Sequence, residues 1–128
     1  MELTEIKGNL TVCKLADMSN MDTTKEFFFL AKTDDEISLV CKTEDVPNKC
    51  TEREDGWKGF YINGVLEFSM VGILAKLSTL LADNGISIFA VSTYNTDYIL
   101  LKSNQWEKNV DVLEKAGYKF KISGNSIE

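Results

Sequence analysis

The side chains of this 128-residue sequence that could do chemistry are defined first by a gap, since the chain contains no histidine. Without an imidazole it lacks the base of Ser-His-Asp and Cys-His catalysis and the commonest ligand for transition metals. Catalysis by carboxylates, Lys or Tyr would need an acid and a base paired in the sequence pattern, and no such pair stands out. Cys13, Cys41 and Cys50 are odd in number and form no Cys-x-x-Cys pair. They read as reduced packing thiols, not as a zinc site or a disulfide framework. Thr33-Asp34-Asp35-Glu36 is acidic but lacks the alternating ligands and central Gly of a calcium loop, so it reads as a hairpin turn. The glycines between Gly56 and Gly64 lack phosphate-loop spacing and its Lys-Ser/Thr end. No catalytic residue, cofactor or metal is assigned, and the chain is expected not to be an enzyme.

What remains is a pair of segments suited to binding. Ser69-Met70-Val71-Gly72 leads into a predicted helix, whose free N–H groups and positive dipole end favour an anion. Gly72 lets a ligand approach the backbone closely. Thr93-Tyr94-Asn95-Thr96-Asp97 offers a carboxylate and three hydroxyls. An anion site beside a fixed carboxylate suits a zwitterion such as a free amino acid. Taken alone, Asp97 also reads as an ordinary turn residue, and Gly72 as a tight strand-to-helix connection.

The elements that would hold these segments are legible in the second half. Val65–Phe68 reads as a short strand. Ile73, Leu77, Leu80 and Leu81 form one helical stripe, stopped by Asn84-Gly85. Ile86–Thr93 reads as a largely buried strand, Tyr94-Asn95-Thr96 as a turn and Asp97–Leu101 as a strand paired back. A second helix starts near Ser103-Asn104, either of which could cap it, with Trp106, Val110 and Leu113 on one face and Gly117 at its end. Tyr118, Phe120 and Ile122 alternate with Lys119 and Lys121 as a last strand. The order β-α-β-β-α-β is ferredoxin-like α+β, and it brings Gly72 and the Thr93–Asp97 turn to the same end of the sheet.

The first half carries strands at Leu10–Leu15, Phe27–Leu30, Ile37–Cys41 and Gly59–Ile62, with loops at Ala16–Lys25 and Thr43–Trp57. No amphipathic helix lies between them, and no internal repeat is visible. Trp57, Phe60 and Tyr61 read as core or interface aromatics. A mostly β half, 1–63, is expected to pack beside a ferredoxin-like domain, 64–128. With 44% apolar residues the chain is expected to be globular. Its net charge of −6, with 14 basic residues, makes nucleic acid an unlikely partner. Without a long apolar run or a leader at Met1-Glu2-Leu3-Thr4-Glu5, no membrane contact and a cytoplasmic location are expected.

The stretch Gly72-Ile73-Leu74-Ala75, Gly85-Ile86-Ser87-Ile88-Phe89 and Ser92-Thr93-Tyr94-Asn95-Thr96-Asp97-Tyr98-Ile99-Leu100 resembles the ACT-domain family. The resemblance is to its tandem branch, related to CASTOR-type cytosolic arginine sensors and their small bacterial relatives. Glu36–Cys41, Asp45-Val46-Pro47 and Gly56-Trp57 look similar to that branch as well. The resemblance implies a reduced ACT-like first half, and amino-acid binding at the seam of two ACT-like units. The implied contacts are Ser38, Leu39 and Val40, then Gly72 and Ile73, then Thr93, Tyr94 and Asp97. The sensors carry four such units and this chain two, so the sensors' large partner complex is not carried over. The expectation is a non-catalytic regulatory or sensor protein for a small molecule such as an amino acid. The alternative is a ligand-free protein–protein interaction module. A homodimer is expected, because Tyr118, Phe120 and Ile122 would leave a sheet edge to pair.

Overall fold

The structure, a computed structural model, describes residues 1–63 and 72–122. The predicted strand Val65–Phe68 and the loop residues 69–71 lie outside the described residues. Seven strands and two α-helices follow in the order β1 (Glu2–Leu15), β2 (Phe28–Lys32), β3 (Ile37–Lys42), β4 (Cys50–Ile62), α1 (Ile73–Asp83), β5 (Phe89–Ser92), β6 (Asp97–Lys102), α2 (Trp106–Lys115) and β7 (Lys119–Ile122). Short 3₁₀ turns follow β3 at Thr43–Asp45 and β6 at Ser103–Gln105.

The chain forms two compact units, one of residues 1–7 with 58–128 and one of residues 8–57. Strands β1 and β4 each give one end to either unit. Both carry a glycine with positive φ next to the change of unit, Gly8 at 94° and Gly56 at 85°. That backbone region is open to Gly and strained for other residues.

In the first unit the strands run β7-β1-β4-β6-β5. The end of β4, then α1, β5, β6, α2 and β7, give the β-α-β-β-α-β order. The beginning of β1 stands between β4 and β7, with β7 parallel to it from Glu2↔Lys119 to Glu5↔Ile122. The core joins Leu3, Phe60, Ile62, Leu77, Leu81, Ile86, Ile99, Leu101 and Leu113, all nearly free of solvent. Phe60, Trp106 and Phe120 stack edge to face or tilted, with centroids 5.3–6.1 Å apart.

Helix α1 follows its apolar stripe, burying Leu77 and Leu81. Both helices end in the same way. Gly85 N–H donates to Ala82 and Ile86 N–H to Leu81, while Gly117 N–H donates to Glu114 and Tyr118 N–H to Leu113, each at 3.0 Å. Left-handed Gly85 and Gly117 permit this closure, and Ile86 and Tyr118 pack into the core beyond it.

Several expectations are corrected. The stretch read as loop between Thr43 and Trp57 is strand from Cys50 onward, and β1 begins at Glu2. Residues 51–55 are exposed throughout, so they carry no apolar alternation, and pairing with β1 makes the strand. The strand read over Ile86–Thr93 shortens to Phe89–Ser92 at an end of the strand order and is half-exposed, because Ile86 is consumed in closing α1. Neither Ser103 nor Asn104 caps α2, since a 3₁₀ turn occupies them and no side chain caps that helix. The buried face of α2 holds Asn109 with Leu113, while Trp106 and Val110 are half-buried.

In the second unit the strands run β2-β3-β1-β4. One face gathers Cys13, Leu15, Leu39 and Cys41, with Phe28, Leu30, Ile37, Val46 and Cys50 against them. A polar relay rooted at one buried hydroxyl ties its strands. Thr11, fully buried, donates to Asp55 Oδ1 at 2.6 Å, which leaves Thr43 to donate to Thr11 at 2.9 Å. Arg53 Nη2 donates to the same carboxylate oxygen at 3.0 Å.

Candidate functional site

The β5–β6 hairpin is closed by its own turn. Thr93 N–H and Oγ1 both donate to the Thr96 carbonyl, at 2.8 and 3.0 Å. Thr96, buried, turns its hydroxyl onto the Ile62 carbonyl at 2.8 Å. This bond fixes the hairpin tip to the end of β4, the strand that leads toward α1. Asp97 follows the turn half-buried and accepts the Ser92 hydroxyl on Oδ1 at 2.6 Å. Tyr94 stands out at the tip, 83% exposed. Tyr98 lies against Tyr61 with ring centroids 5.3 Å apart, and burial, followed by the Tyr61 charge, pushes its phenol up.

Helix α1 opens on Gly72, exposed and left-handed at φ 87°. Among the described residues no side chain caps this end and no acidic residue stands in its first turn, so none of them compensates its dipole there. Ile73 is half-buried and packs against the core of the first unit.

Of the predicted site residues, Gly72, Ile73, Thr93, Tyr94 and Asp97 belong to the first unit, and Ser38, Leu39 and Val40 to β3 of the second. Ser38 is half-buried, pairing in register with Lys14 and Ala31. Leu39 and Val40 are 1% and 3% exposed, and the Leu39 side chain lies among Cys13, Leu15 and Cys41. The sequence reading did not single out Ser92 or the tether made by Thr96. It also missed a spacing of 60, visible once the hairpins are compared: Thr93 for Thr33, Asp97 for Ile37, Lys102 for Lys42. Thr33 N–H donates to the Glu36 carbonyl at 2.9 Å as Thr93 does to Thr96, and each hairpin runs into a 3₁₀ turn.

Among the described residues no group of three Cys, Asp or Glu is placed to hold a metal. Burial pushes the Cys13 thiol up, with Cys50 adding to the rise, and pushes Cys41 up to about 12. Both stay protonated near neutrality and serve as packing groups. No described helix is long and apolar enough to cross a membrane.

A mostly antiparallel sheet with two helices in β-α-β-β-α-β order defines a ferredoxin-like α+β protein. The ACT-domain family model matches residues 52–115, and the chain belongs to that family. The solved structure of Atu0741 from Agrobacterium tumefaciens is 31% identical, with a TM-score of 0.83 over 97% of this chain and 94% of that one. A protein of unknown function from Vibrio cholerae, VC0802, described as a possible transport protein, is 18% identical, with a TM-score of 0.70 over 89% and 88%. Aspartate kinase from Clostridium acetobutylicum, described as an allosteric enzyme, is 16% identical, with a TM-score of 0.62 over 86% of this chain and 33% of that one. These last two likenesses show the fold alone. Comparison with curated proteins gives no match.

Proposed function

We propose that this chain is a non-catalytic regulatory protein that binds a small zwitterion, a free amino acid, with contacts from Gly72, Ile73, Thr93, Tyr94 and Asp97. The observation that carries the reading is the Thr96–Ile62 tether, which holds a carboxylate-bearing hairpin tip on the strand that leads to an uncapped helix start. The helix end suits an α-carboxylate and Asp97 suits an α-ammonium. Membership of the ACT family supports the regulatory part, as does the fold shared with an aspartate kinase described as allosteric. The 60-residue hairpin repeat supports reading the first half as a reduced ACT-like unit, and with it the kinship to CASTOR-type sensors. Strand β7, which among the described residues pairs only with β1, supports a homodimer.

Calorimetry against the twenty amino acids tests the reading, with one or a few expected to bind. Asp97→Ala is then expected to weaken binding by about 2–4 kcal/mol if the ion pair is desolvated, with little change in melting temperature. Silence from every amino acid at millimolar concentration refutes the reading and leaves a ligand-free interaction module, to be sought by gel filtration and pull-down.

A further inference from the structure

The first unit has a concavity that the hairpin tip does not line. It is a groove of about 480 Å³ on the flank of α1, bounded by Met1, Ile73, Lys76, Leu80 and the Ala116–Tyr118 turn. Ile73, Lys76 and Leu80 recur along one side of α1, and Ala116-Gly117-Tyr118 is the closure of α2. The volume falls within the range of small-ligand sites.

Its charge is one-sided. In a chain with 20 acidic against 14 basic residues, Lys76 is the charged side chain among the described residues of this lining, which include no carboxylate. Lys76 lies in the first turn of α1, where the helix end is already positive and where, among the described residues, neither a capping side chain nor an acidic residue compensates it. A cation at that place is disfavoured by the dipole, so an anion settling beside it is attracted by both. The remaining walls are apolar or aromatic, and they would hold a hydrocarbon body without polar partners.

We propose that this groove binds an apolar monocarboxylate, with its carboxylate at Lys76 and the first turn of α1 and its aliphatic or aromatic body along Ile73, Leu80 and Tyr118. The proposal shares the start of α1 and Ile73 with the amino-acid reading, but it uses neither Asp97 nor an ammonium group on the ligand.

The test is amide-resolved NMR titration of the full chain with 3-phenylpropionate, and with its neutral isostere 3-phenylpropanamide. Expected are saturable shifts at Lys76, Leu80 and Ala116–Tyr118, with the neutral amide weaker by about threefold to tenfold. Lys76→Gln should shrink that preference while its spectrum stays folded. Ala116→Phe, at an exposed position, should plug the groove and abolish the shifts. Asp97→Ala should leave them unchanged, which separates failure of this groove from failure of the hairpin site. The proposal is overturned by the absence of saturable shifts at about 10 mM ligand, or by equal binding of acid and amide. Groove shifts that follow protein concentration alone also overturn it, since they would make the occupant a second copy of the chain.

Discussion

Asn109 is fully buried on the inner face of α2, and neither its amide nitrogen nor its oxygen has a hydrogen-bond partner among the described residues. A buried polar group left unmade costs about 1–3 kcal/mol, whereas an apolar group of the same shape costs nothing of that kind. Asn109→Leu is therefore expected to raise stability by about 1–2 kcal/mol, read as a higher denaturant midpoint at unchanged slope. A lower midpoint would mean that a water or a shifted rotamer satisfies the amide. This residue was illegible in the sequence because helical periodicity marks a face by its apolar members. Trp106, Val110 and Leu113 drew the stripe slightly to one side of the face that α2 buries. The places of Asp97 after a turn and of Gly72 at a helix start were legible because turn and helix-start chemistry is local. Leu39 sits in β3, where alternation cannot tell a binding strand from a core strand, and its side chain lies in the core of the second unit.

At the scale of elements, α1 could be read in full, since its stripe and its Gly85 stop both follow from short-range geometry. Leu77 is fully buried, and Leu77→Ala is expected to cost about 2–5 kcal/mol through the cavity it leaves. Chemical denaturation measures this, and a loss under about 1 kcal/mol would place Leu77 in a site able to collapse. The Thr96 tether belongs to the same scale. Thr96→Val keeps the shape and strands the Ile62 carbonyl, at an expected cost of about 1 kcal/mol together with faster amide exchange across Thr93–Asp97. Unchanged exchange there would show that the turn's own hydrogen bonds hold the tip. The beginning of β1 and the exposed stretch of β4 were not legible because their partners lie far away in sequence. A strand that gains its conformation from pairing carries little local signature.

For the molecule as a whole, the carboxylates held low among the described residues share one unit. The Ser19 hydroxyl and N–H hold Asp17 below the usual range, those of Thr24 hold Asp22, and Thr11, then Arg53, hold Asp55. All three lie within residues 8–57. A depressed folded pKa contributes stability that is complete above the ordinary carboxylate value of about 3.9 and is lost as pH falls through the folded value. Acidification below about pH 4 is therefore expected to loosen the second unit first. Amide signals of β2 and β3 should fade before those of α1 and α2, and Asp55→Asn should flatten part of that dependence. Loss of the helical signals first would contradict it.

Glu2 pairs in register with Lys119, so β1, which already has β4 beside it, gains this further neighbour only when nearly everything between them exists. Residues 8–57, by contrast, are contiguous and complete as a unit early. On a ribosome the second unit can therefore collapse while the first still waits for β7. During that interval the apolar Leu3 and Ile6 have no finished core to enter. Closure of so distant a pair carries the larger entropic cost and makes the slower step. Strand β7 is thus the last to be seated, and the completed first unit reports that synthesis has passed α2.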